Sequence, residues 1–208
     1  MEILFIIIVF ILGFYSGKAR KKYIENTGEQ LVNNILAKNF PTEDYHLLKN
    51  LTLPIAGGTT QIDHLLISTQ GVFVIETKGL SNWIFGSEKQ AKWTQKTFTG
   101  KYKFQNPLHQ NYKHIKELNR YFDFLPENTF KSVVVFSGNA EFKSKMPENV
   151  LYLRNLAAHI KNFQKDTISL NRVFFIVGKL ECLRKEVSSK TDDEHVKYLR
   201  DKFGSKTT

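Results

Sequence analysis

Apolar and polar positions follow three different rhythms along this chain. Residues Ile3 to Tyr15 form an apolar run broken only by Gly13, and Lys18, Arg20, Lys21 and Lys22 follow it at once. Leu31, Val32, Ile35 and Leu36 then recur at helical spacing. Thr27 with Gln30 three residues on supplies a capping box for that helix, and Glu29 falls in its first turn, where the helix dipole favours an anion. From Tyr45 the pattern shortens to that of strands. Tyr45 to Leu53 and Gln61 to Ser68 are separated by Pro54 and the Gly57-Gly58 turn, and Gly71 to Lys78 follows across Thr69-Gln70-Gly71, which predicts a three-stranded meander.

Shorter strands are expected at Trp83 to Phe85, Lys92 to Gln95 and Lys101 to Phe104, broken by Gly86 and Gly100. Asn106-Pro107 then opens a helix, with Asn as cap and Pro at the first helical position. Its expected buried stripe is Leu108, Tyr112, Ile115, Leu118 and Phe122, which leaves Gln110, His114, Glu117 and Tyr121 on roughly the opposite face. Lys131 to Ser137, with four apolar residues in succession from Val133, has the character of a buried strand. Strands are expected again at Val150 to Leu153 and Val173 to Val177, helices around Asn155 to Gln164 and Lys179 to Lys185, and a last helix from Thr191 that Gly204 ends. The order of elements predicts an α/β sandwich, a mixed sheet flanked by helices and preceded by an N-terminal hydrophobic helix.

Composition narrows the function. Apolar residues at 41% and charged residues at 24% belong to a globular chain. Thirty Lys and Arg against twenty acidic residues give a net charge of +10, which attracts a polyanion or an anionic membrane face. The single cysteine, Cys182, rules out an intramolecular disulfide and a thiolate zinc site, and its apolar neighbours predict a small core residue.

The N-terminal run has the polarity of an anchor. Glu2 precedes it and the basic cluster follows, the reverse of an export signal. A helix over Met1 to Gly17 rises about 25 Å against a hydrocarbon core of roughly 30 Å. The positive-inside rule leaves the C-terminal bulk in the cytoplasm, so a single-pass anchor in the cell membrane through residues 3–17 is expected. An interfacial helix, or one docked on a partner, are the alternatives.

The chemistry concentrates at the ends of two strands. Alternation puts Glu76 and Lys78 on one face of Gly71 to Lys78, roughly 7 Å apart along the chain. If that strand pairs with Gln61 to Ser68, Asp63 comes beside Glu76, and two carboxylates on adjacent strands suit an oxygen-preferring Mg²⁺ or Mn²⁺. Asp63 and Glu76 would then hold the metal, Lys78 would orient the nucleophile or stabilise developing charge, and Glu29 would reach the site from the first helix. A bulge at Gly71 would change the face that Asp63 takes. The plain alternative is a Glu76–Lys78 ion pair at a strand end. Gln110, His114 and Tyr121 either finish the site or form a solvated helix face. His64 points away from Asp63 and is read as structural, and Trp83 and Trp93 as core residues rather than base-stacking ones. Neither a GxGxxG nor a GxxxxGK[ST] phosphate loop is present.

The ordered motifs Gly28-Glu29, Gly58-Thr59-Thr60-Gln61-Ile62-Asp63-His64, Gly71 to Lys78, Trp93, Gln105-Asn106-Pro107-Leu108, Gln110 and His114 resemble the nuclease-related domain (NERD) family over roughly residues 25 to 140. The resemblance implies the restriction-endonuclease-like fold of PD-(D/E)xK nucleases, with Glu29, Asp63, Glu76 and Lys78 as the active-site set and Gln110 as an accessory. Ile62 stands where the superfamily motif expects proline. Together these readings divide the chain into an anchor with its basic flank over 1–22, a nuclease-like core over 23–145 and an α/β extension over 146–208 packed on it. The expected function is a membrane-tethered, metal-dependent nuclease, acting on DNA in preference to RNA. A non-catalytic, tethered module that binds nucleic acid or protein on the same fold is the second expectation.

Overall fold

The computed structural model describes residues 27–185 and Lys197. A helix over 27–39, α1, leads into strands β1 (His46–Ile55), β2 (Gly58–Ser68) and β3 (Gly71–Lys78). Strands β4 (Asn82–Phe85), β5 (Lys92–Lys96) and β6 (Lys101–Gln105) come next, then helix α2 (Pro107–Tyr121) and strands β7 (Phe130–Phe136), β8 (Ala140–Phe142) and β9 (Val150–Tyr152). Helices α3 (Leu156–Lys161) and α4 (Leu170–Leu183) complete the described chain. The architecture is mixed α/β, with two mixed sheets flanked by helices.

The larger sheet has the order β1-β2-β3-β7-β9, antiparallel through the meander and parallel from β3 to β9. β3 lies at its centre, paired on both edges, and six of its eight residues are buried, as a near-continuous apolar run requires. Alternate residues of β3 serve two cores. Val72 and Val74 pack under α2 and α4 with Leu118, Phe122, Val173, Ile176 and Leu180. Phe73 and Ile75 pack on the other side against Val32 and Leu36 of α1 and Leu156 and Ile160 of α3. The smaller sheet, β6-β5-β4-β8, closes over the end of β7, where Trp93 stacks on Phe136 with ring centroids 6.3 Å apart.

Several sequence expectations change. Val173 to Val177 is not a strand but the middle of α4. Its run of β-branched and aromatic residues mimics a strand, yet Val173, Ile176 and Leu180 recur at helical spacing and carry the burial, while Phe174 and Phe175 stay exposed. Cys182, on the outer side of the same helix, is exposed rather than a core residue. Ala140–Phe142 forms a strand where none was expected. Trp93 is a core residue as expected, but Trp83 is only half-buried. The expected stripe of α2 is turned by roughly 60° about the helix axis: Pro107, Asn111, His114 and Leu118 are buried, and Tyr112 faces solvent. The expected anchor, residues 3–17 within 1–22, lies outside the described residues, as does the helix expected from Thr191 apart from Lys197, which is helical. Among those described, no helix is long and apolar enough to cross a membrane.

Gly86 sits where the small sheet is tightest. A Cβ there would meet the Trp93 ring at 2.3 Å, and its backbone is clamped by Ser144, whose hydroxyl donates to the Gly86 carbonyl at 2.7 Å. Gly86→Ala is therefore expected to destabilise the protein by about 1–3 kcal/mol through overpacking. A urea midpoint unchanged from the parent would contradict this packing.

Candidate active site

The hairpin register decides which groups meet. Between Ser68↔Gly71 and His64↔Ile75 the β2–β3 ladder runs without a bulge, and its next step would oppose Asp63 and Glu76. Pairing stops there. The Asp63 carboxylate takes over the ladder's role, its Oδ2 accepting from the Thr77 backbone N–H at 2.7 Å. On the other side the β1–β2 ladder skips Asn50, which adopts a left-handed φ of 47° opposite Asp63. Alternation slips at this point. Ile62 packs under α2 and α4 on one side of the break, and Leu65 and Ile67 do so on the other, three residues on instead of two. The local irregularity thus lies at Asp63 itself and not at Gly71.

Glu76 and Lys78 project on the α2 face of β3. Glu76 is 2% exposed, and Lys78 Nζ donates to its Oε1 at 2.6 Å and to Gln110 Oε1 at 3.2 Å. His114 approaches from behind, its Nε2 3.5 Å from Glu76 Oε2, while its Nδ1 is 2.8 Å from the Thr60 hydroxyl. Glu76 Oε2 is buried without a hydrogen-bond partner. Asn111 pins α2 to the sheet below this group, donating to the Val74 carbonyl at 2.7 Å and to Ser132 Oγ at 3.0 Å. Thr60 and Asn111 escape a sequence reading because each is one polar residue in a polar stretch. The i, i+4, i+7, i+11 spacing of Pro107, Asn111, His114 and Leu118 is the signal that would have found the buried face.

From the opposite face, α1 brings Glu29 to the same strand end. Gly28 makes that approach possible, since a Cβ there would lie 2.6 Å from Ser137 Oγ and 3.4 Å from Gly79 Cα. His64 points to the α1 side, with its ring in hydrogen-bond contact with the Glu29 backbone and its Nδ1 3.4 Å from Thr77 Oγ1. Burial lowers its pKa to about 4, so the ring is neutral at pH 7 and serves as a strut.

Glu29, Asp63, Glu76, Lys78 and Gln110 line one cleft of about 350 Å³, together with Thr77, Gly79, Leu80, Phe104 and Gln105. His114 buttresses Glu76 without lining the cleft, and Tyr121, at the far end of α2, does not line it. Burial and then the Glu76 charge push the Asp63 carboxyl well above the ordinary carboxylate range. Burial alone would raise Glu76 too, but Lys78 and His114 outweigh it and hold that carboxyl below its usual value. The Lys78 ion pair therefore keeps one buried carboxylate charged beside a second that resists ionisation. Among the described residues, no three His, Cys, Asp or Glu side chains converge as a metal-holding group. The donors at the cleft are carboxylates on adjacent strands, a set suited to a hard cation that retains water and not to zinc.

The nuclease-related domain model matches residues 24–137, which span every residue of this cleft. The chain belongs to the nuclease-related domain (NERD) family. An uncharacterized protein of Bacillus anthracis is 36% identical over 97% of this chain and 96% of its own length. No solved structure matches. The NERD match ends just beyond β7, so it takes in the first helix, the meander and α2 that carry the cleft, and leaves out β9, α3 and α4.

The electrostatics of the NERD cleft predict opposite signs for two isosteric changes, measured by urea unfolding in EDTA at neutral pH. Because the fold raises the Asp63 pKa, the ionised form is disfavoured in the folded state, and Asp63→Asn is expected to stabilise by about 0.5–2 kcal/mol. Lys78→Met leaves Glu76 buried without its cation and is expected to destabilise, by less than the about 3–5 kcal/mol of a fully buried pair because Lys78 is 22% exposed. Shifts of the same sign would show that the cleft charges are not coupled in this way.

Proposed function

We propose that this NERD protein is a membrane-tethered, Mg²⁺-dependent nuclease that hydrolyses phosphodiester bonds, DNA in preference to RNA, on a restriction-endonuclease-like fold of the PD-(D/E)xK type. The observation that carries the reading is the convergence of Glu29, Asp63, Glu76 and Lys78, from three separate elements, on a single cleft. Membership of a nuclease-related family and a net charge of +10 support it. The tether is the apolar run Ile3 to Tyr15, with its basic flank on the cytoplasmic side.

The cleft fits a hard divalent cation. The carboxylates of Asp63 and Glu76, which line the cleft from adjacent strands, would hold Mg²⁺ or Mn²⁺ through oxygen. When bound, such an ion supplies an acidified water and polarises the phosphate. The chain's own groups do the rest. Lys78, held between Glu76 and Gln110, presents its ammonium at the cleft, where it stabilises negative charge growing on the phosphate oxygens. Gln110 steers that ammonium, and Thr77 N–H fixes the Asp63 carboxylate. His114, set by Thr60, limits how Glu76 turns. Leu80 and Phe104 add apolar surface to the cleft wall, which lowers the local dielectric and strengthens these charges.

The test incubates the full chain, purified in mild detergent, with supercoiled, linear and single-stranded DNA and with RNA, in Mg²⁺, Mn²⁺ or EDTA. Cleavage is expected with either metal and none with EDTA, and Glu76→Ala or Lys78→Ala is expected to lower the rate about a hundredfold or more. Binding that survives in every variant, without metal-dependent cleavage, would replace this reading with the non-catalytic module.

A further inference from the structure

One face of the small sheet is built unlike the rest of the surface. Its inner face is packed, with Ile84 and Trp93 in the core and the partly buried Phe104 and Phe142 against them. Alternation and register put Trp83 and Phe85 of β4 on the outer face with Lys96, Lys101 and Lys103 of β5 and β6. Those three lysines are exposed, and Phe85 is 40% exposed. Phe98, on the β5–β6 turn, is 90% exposed and lies against Trp83 with ring centroids 5.9 Å apart. Lys96 Nζ stands 5.3 Å from the Trp83 ring centre and Lys143 Nζ 5.7 Å from it. Glu141 offsets Lys143, and the remaining lysines leave the face positive.

We propose that this face is a stacking platform for single-stranded nucleic acid, which threads from it into the cleft. The class of partner rests on the nucleic-acid reading above. Exposed aromatic rings among ammonium groups match a strand with unpaired bases and a phosphate backbone, whereas a duplex hides its base faces from such rings. Continuity with the cleft supplies the path. Gln105, at the end of β6, lines the cleft and lies on the same strand face as Lys103 and Lys101, so a row of phosphate-binding groups runs about 13 Å from the cleft along β6. Bases stack on Trp83 and Phe98 while the lysines of β5 and β6 hold the backbone.

The test uses the full chain carrying Glu76→Ala, in EDTA so that nothing is cut, and measures fluorescence anisotropy of labelled oligodeoxythymidine and of a duplex of equal length. Tighter binding of the single strand is expected. Trp83→Ala and Phe98→Ala are each expected to weaken it about tenfold while leaving the duplex little affected. A Lys101→Gln, Lys103→Gln double variant is expected to reduce its salt dependence. Phe98 is so exposed that its removal leaves the fold intact, which guards against a trivial loss. Binding unaffected by both aromatic variants overturns the platform while leaving the nuclease reading standing. Absence of any nucleic-acid binding in the Glu76→Ala parent overturns both. Equal loss of binding to anionic phospholipid vesicles would reassign the face to a lipid surface.

Discussion

A buried carboxylate at the end of a central strand is the constraint on which the rest of this molecule is arranged. Glu76 lies between β2 and β7, almost without exposure, and an uncompensated charge there would cost several kcal/mol. Lys78 meets Oε1 and His114 faces Oε2, and each of these partners needs support of its own. Gln110 and His114 place α2 across the sheet, Thr60 orients the imidazole, and Asn111 ties the helix to the β3 and β7 backbones. The turn of α2 relative to its apolar stripe follows from this. The helix lies as its polar residues require, and Tyr112 is left in water as a result.

Asp63 is positioned by a different device. A regular ladder would continue past His64 and bury every backbone group of β3 in pairing. Instead the side chain of Asp63 replaces one rung, and Asn50 accommodates the break on the next strand with a left-handed backbone. The carboxylate is consequently fixed by a backbone amide, not by a rotamer preference alone. Two acids on neighbouring strands are held by unlike means, one by an ammonium and one by a main-chain donor, and their proton affinities are driven apart: burial and the Glu76 charge outweigh the Thr77 amide and raise Asp63, while Lys78 and His114 outweigh burial and lower Glu76.

Much of this was legible in the residues. The alternation of Gly71 to Lys78 announces Glu76 and Lys78 on one face, and the Asn106-Pro107 cap announces α2. What escapes is physical in origin. Period-two reasoning assumes an unbroken pleat, and the slip at Asp63 depends on Asn50, which is distant in sequence. Hydrophobic stripes count Asn111 and His114 as outward, although each is buried because a carbonyl or carboxylate waits beneath it. Val173 to Val177 carries strand-like residues, and only the extension of the window to Leu180 exposes its helical period.

Gly28 turns an absence of atoms into a measuring device. The first helix can descend onto the strand ends only as far as a hydrogen permits, stopped by Ser137 and Gly79. The depth at which an acidic group enters from that side is therefore gauged by van der Waals radii, which neither salt nor pH can retune. The spacing of the cleft's acidic groups and the docking of the helix become a single quantity, so evolution can adjust one only by moving the other.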